Sequence, residues 1–149
     1  MSSLLKERLQ DDMKTAMKAQ DKARLAVIRF ILAAIKQKEI DDRVSLTDEQ
    51  VIAIIEKLVK QRHDGILHWE KAGRHELVEK ENFELSILRS YMPEPLSSEA
   101  IDILIKEAIQ ETGATSMRDM GKVMALIKPK VQGRTDISMV SQQIKALLS

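Results

Sequence analysis

The sequence predicts an all-α fold: a four-helix N-terminal domain over residues 1–92, a Pro-containing linker over 93–97, and a three-helix bundle over 98–149. Three observations support this prediction. Apolar residues recur at the 3.6-residue period of a helix along almost the whole chain. Aromatic residues, which strands favour, are only 3% of the chain. Residues that cap helix N-termini precede most of the apolar stripes.

The first two predicted helices lie at the N-terminus. Ser2 or Ser3 caps a helix that runs to about Ala19, and Asp21 caps a second helix that ends before a loop over residues 41–46. The apolar stripes of the two helices are Leu5, Leu9, Met13, Ala16 and Met17 in the first, and Leu25, Ile28, Leu32 and Ile35 in the second.

Two longer helices are predicted next. Thr47-Asp48-Glu49-Gln50 has the pattern of a capping box and opens the third helix. That helix continues toward Trp69, although Gly65 weakens it, and it ends near Gly73. The fourth helix runs from about His75 to Tyr91.

Pro93 and Pro95 mark the boundary between the two parts, because two prolines one residue apart cannot lie inside a helix. Ser97 or Ser98 then caps the fifth helix, and Gly113 ends it.

Two more helices complete the bundle. Ser116 opens the sixth, and Pro129 with Gly133 closes it. Asp136 or Ser138 caps the seventh.

Composition excludes several classes of protein. The chain contains no cysteine, so disulfides, thiolate nucleophiles and Cys-based metal sites are excluded, and we expect a cytoplasmic location. No secretory signal is visible in residues 1–8, and no apolar segment approaches the ~20 residues of a membrane span. We therefore expect no membrane partner.

Motifs for catalysis and metal binding are weak. His75–Glu79 resembles the HExxH zinc helix, but Glu79 stands where the second histidine belongs. His63 and His68 are five residues apart, which suits one helix face poorly. No phosphate-binding glycine loop or nucleophile elbow is present. We expect no metal, no cofactor and no catalytic residue.

The strongest functional signal is a charge asymmetry hidden in the net charge of +1. Residues 115–149 contain two acidic and six basic residues, a net charge of +4, whereas the preceding residues carry −3. The basic residues are Arg118, Lys122, Lys128, Lys130, Arg134 and Lys145.

Most of these cations surround a segment that contains Gly121, Pro129 and Gly133. Glycine permits close approach of a backbone and proline fixes a turn, so the segment could hold Lys and Arg against phosphates. The alternative is a solvated turn whose cations stabilise a helix C-terminus.

Met117, Met120 and Met124 form a stripe at helical spacing. Such a stripe is usually part of a core, but methionine also lines adaptable binding grooves. It therefore leaves a protein-interaction adaptor open as a function.

Several separated segments resemble the GatB/YqeY family. Asp119–Met124 and Lys128–Arg134 resemble its C-terminal signature, and Tyr91–Ser97 resembles its Tyr-Leu-Pro linker. Arg24–Arg29 and Lys60–Arg62 resemble its N-terminal half. The resemblance covers residues 4–148 and indicates a stand-alone YqeY-like protein. One departure is Arg134-Thr135-Asp136, where the family often has Lys-Ala-Asp.

This resemblance implies an all-helical protein whose C-terminal domain is similar to the tail of the B subunit of glutamine-dependent Asp/Glu-tRNA amidotransferase. It implies tRNA or another structured RNA as a partner, and amidotransferase or aminoacyl-tRNA synthetase components as others. The family label of carbon–nitrogen ligase with glutamine as amido-N-donor is also implied, but no residue here can be assigned to that chemistry.

We therefore predict an accessory binding protein that contacts tRNA, or an amidotransferase-like complex, through its basic C-terminal domain. Two alternatives remain: a component of glutamine-dependent tRNA amidation, and a protein-interaction adaptor.

Overall fold

The computed structural model describes residues 3–149, which form seven α-helices, one 3₁₀ turn and no strand. The all-α prediction is confirmed. The helices are α1 (Leu4–Lys18), α2 (Lys22–Asp42), α3 (Asp48–Lys71), α4 (His75–Ser90), α5 (Ser98–Thr112), α6 (Met120–Val131) and α7 (Ile137–Leu148), and the 3₁₀ turn is Met117–Asp119. Within the described range, no helix is both long and apolar enough to cross a membrane.

The chain divides into two compact units, Met1–Met92 and Pro93–Ser149. We call them the first unit, with α1–α4, and the second unit, with α5–α7. Each has a core of its own, built mainly from aliphatic side chains. The cores follow the predicted stripes: the first includes Leu9, Ile28, Ile31, Ile35, Val51 and Ile55, and the second includes Ile105, Val123, Ile127, Val140 and Ile144.

Side-chain caps fix the N-termini of five of the helices. Ser3 accepts a hydrogen bond from the Lys6 amide at the start of α1, and the alternative cap Ser2 lies outside the described residues. Thr47 and Gln50 form the predicted capping box of α3. The remaining caps are Asp21 on α2, Ser97 on α5 and Asp136 on α7.

The second helix is longer than predicted, so the loop is residues 43–47 rather than 41–46. Two side-chain pairs, each joining residues one helical turn apart, extend the helix. The Gln37 amide donates to Asp41 at 2.8 Å, and Lys38 pairs with Asp42 at 2.9 Å. Such pairs stabilise helix ends. Arg43 then ends α2 in the left-handed conformation, with φ 54°.

Gly65 does not interrupt α3, which continues to Lys71. A Cβ atom at Gly65 would lie 2.5 Å from Glu81 Oε2 of α4. The glycine therefore allows the Glu81 carboxylate to pack directly against α3. The helix therefore continues through a residue of low helix propensity.

Two carboxylates, Asp48 and Glu39, hold the start of α1 in the first unit. Asp48 accepts hydrogen bonds from the Ser3 hydroxyl and, at 3.1 Å, from the Leu5 amide, which joins the starts of α1 and α3. Glu39 forms an ion pair with Lys6 at 2.7 Å and accepts a bond from the Leu46 amide at 3.0 Å. It thus joins α1 to the loop that follows α2.

Tyr91 closes the other end of the first unit. Its ring is buried, and its hydroxyl donates to Asp12 Oδ2 at 2.5 Å. The Arg8 guanidinium lies 4.7 Å from the ring centre and donates to the Ser90 carbonyl at 3.2 Å. Burial, reinforced by the bond to Asp12, raises the pKa of the Tyr91 hydroxyl, which stays a donor at all physiological pH values.

Glu39→Gln tests the ion pair with Lys6. The hydrogen bond from Lys6 and the Leu46 amide lower the pKa of Glu39, so its contribution is present above the ordinary pKa and is lost as pH falls through the lowered value. At pH 7 the variant should lose about 1 kcal/mol of unfolding free energy. Urea unfolding should show that this difference shrinks below about pH 4. Glu79→Gln, on an exposed position, is the control. A pH-independent difference would contradict the assignment.

Candidate nucleic-acid interface

The predicted turn after α6 is a type II β-turn over Val131–Arg134. Gln132 has φ −57° and ψ 127°, Gly133 has φ 74°, and the Arg134 amide donates to the Val131 carbonyl at 2.9 Å. The third position of this turn requires a positive φ, which glycine adopts without steric cost. Gly133 therefore gives the segment its turn through a positive φ.

Pro129 does not form this turn; it lies inside α6, two residues before the helix ends. Its ring removes one helical hydrogen bond, yet the helix continues because Val131 is fully buried in the core. The Gln132 amide also donates to the Lys128 carbonyl at 3.0 Å. Proline here stiffens the last turn of a helix instead of fixing a loop.

Arg134 joins the turn to the segment that precedes α5. Its Nε donates to the Glu94 carbonyl at 2.9 Å, and its own carbonyl accepts from the Leu96 amide at 2.8 Å. Leu96 packs against the core of the second unit. The Arg134 backbone is thereby fixed, and its side chain lines a groove.

That groove has a volume of about 530 Å³. Its walls are apolar, and Lys130 and Arg134 both line it. Glu107 of α5 lies on the same groove. The apolar residues are Leu96, Ala100, Ile103 and Leu104. The structure thus brings two of the predicted cations, Lys130 and Arg134, together.

The other cations are exposed but point in different directions. Successive residues of a helix are rotated by about 100°, so Lys122 and Lys130 project within about 80° of each other. Lys128 projects about 160° away from Lys130 by the same rule. Lys145 is exposed in the last turn of α7, and Arg118 is exposed in the 3₁₀ turn. The six residues therefore do not form one flat patch.

Asp119 tempers the charge at the start of α6. It accepts hydrogen bonds from the Thr115 and Ser116 amides, and these, with the nearby Lys122 ammonium, lower the pKa of its carboxyl. Asp119 is ionised at neutral pH as a result. This negative charge partly offsets the positive charge of Lys122.

The second unit is neutral overall but polarised. Residues 93–114, which include α5, carry five carboxylates and one lysine, whereas residues 115–149 carry the net charge of +4. Lys106, the lysine of α5, pairs with Asp102 at 2.9 Å. An anion is therefore attracted to α6 and α7 and repelled by α5.

The methionine stripe is largely core. Met120 and Met124 pack against the buried cluster of the second unit, while Met117 is partly exposed. The histidines are dispersed: the His63 ring lies 2.6 Å from Arg89 Nη2, His68 packs edge-on against Trp69, and His75 is the exposed first residue of α4. Among residues 3–149, no three His, Asp or Glu side chains converge as metal ligands would.

The fold and the candidate site define a class of protein: an all-helical chain of two compact units, in which the second unit carries a glycine turn flanked by cations. A family model described as Yqey-like protein matches residues 6–148. The chain therefore belongs to the YqeY-like family.

The chain is also similar to curated proteins named "Altered inheritance of mitochondria protein 41, mitochondrial". The protein of Pyrenophora tritici-repentis is 34% identical over 146 residues, covering 95% of this chain and 79% of the relative. That of Kluyveromyces lactis is 34% identical over 140 residues, covering 93% and 72%. A Saccharomyces cerevisiae relative is 38% identical over 104 residues, covering 68% and 56%.

These names contradict the expectation of a cytoplasmic location, because the similar proteins are named as mitochondrial. The expectation rested on the absence of cysteine. A chain without thiols is insensitive to the redox state around it, so its composition does not identify a compartment.

Gly133→Ala and Gly121→Ala form a matched pair that tests the turn. Alanine at Gly133 must adopt φ 74° and should cost about 1–2 kcal/mol of unfolding free energy. A Cβ at Gly121, in the first turn of α6, meets no atom within 4 Å, so alanine there should be neutral or stabilise by up to about 1 kcal/mol. Urea unfolding measures both. Equal losses would show that the turn does not require glycine.

Proposed function

We propose that this YqeY-like protein is a non-catalytic accessory protein that binds structured RNA through the basic side of its second unit. The observation that supports this best is that Lys130 and Arg134 line the same groove, beside a turn that fixes the Arg134 backbone. Lys122 adds a third cation on the same side of α6. Lys128, Lys145 and Arg118 contribute to the surrounding field.

The charges available suit phosphate. In the part of the chain that the structure describes, none of these lysines forms a salt bridge with Asp or Glu, so binding would not first require an ion pair to break. Neutralising about three phosphates releases their counterions, and this release drives association at low salt. Glu107 of α5 lines the same groove, so the RNA phosphates would contact its Lys130 and Arg134 side.

Recognition in the second unit would depend on shape. Residues 93–149 contain no aromatic side chain and no histidine, so this unit has nothing on which a base can stack. Double-stranded RNA is recognised mainly by its shape and by phosphate contacts. A folded RNA such as tRNA fits this mode, and affinity should be weak, with a Kd of about 10⁻⁴–10⁻⁶ M.

An adaptor function is the second candidate, favoured by the apolar walls of the same groove. An amphipathic helix of a protein partner could place an aliphatic side chain against Ile103 and a carboxylate near Lys130. Amidotransferase or aminoacyl-tRNA synthetase components are the partners implied by the family resemblance. If RNA competes with such a helix for binding, both ligands bind the same surface.

The RNA proposal is tested by titrating labelled tRNA at several salt concentrations. Three phosphate contacts predict a slope of log affinity against log salt of roughly −2 to −3. Lys130→Ala should weaken binding and reduce that slope by about 0.7–0.9, whereas Lys128→Ala, on the other side of α6, should have a smaller effect.

Lys14→Ala, on exposed α1, is the control and should change neither quantity. If Lys122→Ala/Lys130→Ala binds tRNA as well as the wild type does, these lysines make no contact with RNA and the RNA proposal is wrong.

We also propose that the chain alone has no glutaminase activity, because this chemistry requires a nucleophile activated by a positioned base. Cysteine is absent, and the hydroxyls of Ser86 and Ser90 donate to the backbone carbonyls of Phe83 and Ile87. Purified protein should release no ammonia from glutamine above the rate of a buffer blank. Turnover that a single substitution in this chain abolishes would establish the enzyme instead.

A further inference from the structure

A second groove lies on the first unit, between α2 and α4, with α3 contributing one side chain. Its volume is about 280 Å³, just below the usual range of ligand-binding clefts. The residues that matter are Ala23, Ala26 and Phe30 of α2, Arg62 of α3, and Lys80 and Phe83 of α4.

Two aromatic rings are exposed at this groove in a chain that has only four. Phe30 is 48% exposed and Phe83 is 43% exposed, whereas Tyr91 is buried. Leaving a phenyl ring half in water forgoes much of its burial energy. Ala23 and Ala26 of α2 also line the groove, and their small side chains leave room for a planar group.

The groove also carries positive charge. Arg62 Nη2 lies 3.2 Å from Glu84 Oε2, so the one carboxylate that lines the groove is neutralised internally. The Arg62 guanidinium is 5.3 Å from the centre of the Phe30 ring. Lys80 is exposed and has no salt bridge among residues 3–149. The lining is therefore positive overall and complements an anion.

More positive charge follows the outer side of α2. Lys22 and Arg29 are exposed and seven residues apart, which places them in one row beside Ala23 and Phe30. Neither forms a salt bridge within the described part of the chain. An extended polyanion that leaves the groove could follow this row.

We propose that this groove binds one unpaired nucleotide of an RNA strand. The base stacks against Phe30 and Phe83, and the adjoining phosphate contacts Lys80. Aromatic rings interleaved with cations are the usual platform for single-stranded nucleic acid, because every base has a π face and every nucleotide has a phosphate. This inference rests on the proposed RNA binding for the identity of the ligand, but it depends on different residues.

The experiment compares two labelled probes by fluorescence anisotropy at low salt: a ten-nucleotide oligoadenylate and a blunt-ended RNA hairpin. Phe30→Ala/Phe83→Ala should weaken oligoadenylate binding by about tenfold or more and leave hairpin binding within about twofold. Lys122→Ala/Lys130→Ala should weaken hairpin binding and leave oligoadenylate binding nearly unchanged. Lys80→Ala should reduce the salt dependence of oligoadenylate binding.

Two control variants separate stacking from other effects. Ile40→Ala removes an exposed apolar side chain of α2 that does not line the groove, and it should leave both affinities unchanged. Phe30→Leu keeps an apolar side chain but removes the π face, and it should weaken oligoadenylate binding. Circular dichroism and thermal unfolding confirm that each variant folds, which half-exposed positions should permit.

The outcomes distinguish the two proposals. Unchanged oligoadenylate affinity in the Phe30/Phe83 variant, or wild-type affinity in Phe30→Leu, overturns the nucleotide site. Neither result bears on RNA binding by Lys122 and Lys130. Unchanged hairpin affinity in the Lys122/Lys130 variant, with the Phe effects intact, overturns RNA binding by those lysines and supports the nucleotide site. Absence of oligoadenylate binding by the wild type at low salt also overturns the nucleotide site.

Discussion

The exchange of backbone hydrogen bonds around Arg134 is the constraint on which the candidate RNA-binding surface depends. The Arg134 amide closes a type II turn on Val131, and its carbonyl accepts from Leu96 at the entrance to α5. A turn of this type needs the positive φ that Gly133 supplies. One glycine thus fixes both the path from α6 to α7 and the position of the segment before α5.

The distribution of charge in the second unit determines where an anion is attracted. The second unit has equal numbers of acidic and basic residues, yet five of its seven carboxylates lie in residues 93–114 and six of its seven cations in residues 115–149. Net charge would predict no preference for an anion, whereas the separated charges produce a field that does. The Asp119 carboxylate, ionised through its backbone hydrogen bonds, limits that field at one end of α6.

The aromatic side chains, which are few, all lie in the first unit and have different surroundings. Of its four aromatic side chains, Tyr91 fastens α1 to the end of α4, while Phe30 and Phe83 stand at the rim of one groove. The carboxylate in that groove is already paired with Arg62. Aromatic surface and unpaired positive charge are consequently available together, which neither the low aromatic content nor the small net charge would indicate.

The sequence by itself determined the all-α fold and most of the helix ends, because these depend on local chemistry. The apolar period of 3.6, the capping box at Thr47 and the prolines at 93 and 95 act within a few residues of where they stand. The end of α6 near Gly133 was also predicted, but Pro129 lies inside the helix and does not form the turn. Membership of the family follows from the same local motifs.

Only the tertiary structure decided which cations share a surface and which aromatic residues meet. Lys128 and Lys130 are neighbours in sequence, but the helix that continues through Pro129 turns them to different sides, and that continuation depends on the burial of Val131. Phe30 and Phe83 are far apart in sequence and come together through the packing of α2 and α4. Such juxtapositions arise from contacts between distant helices, which no local pattern encodes.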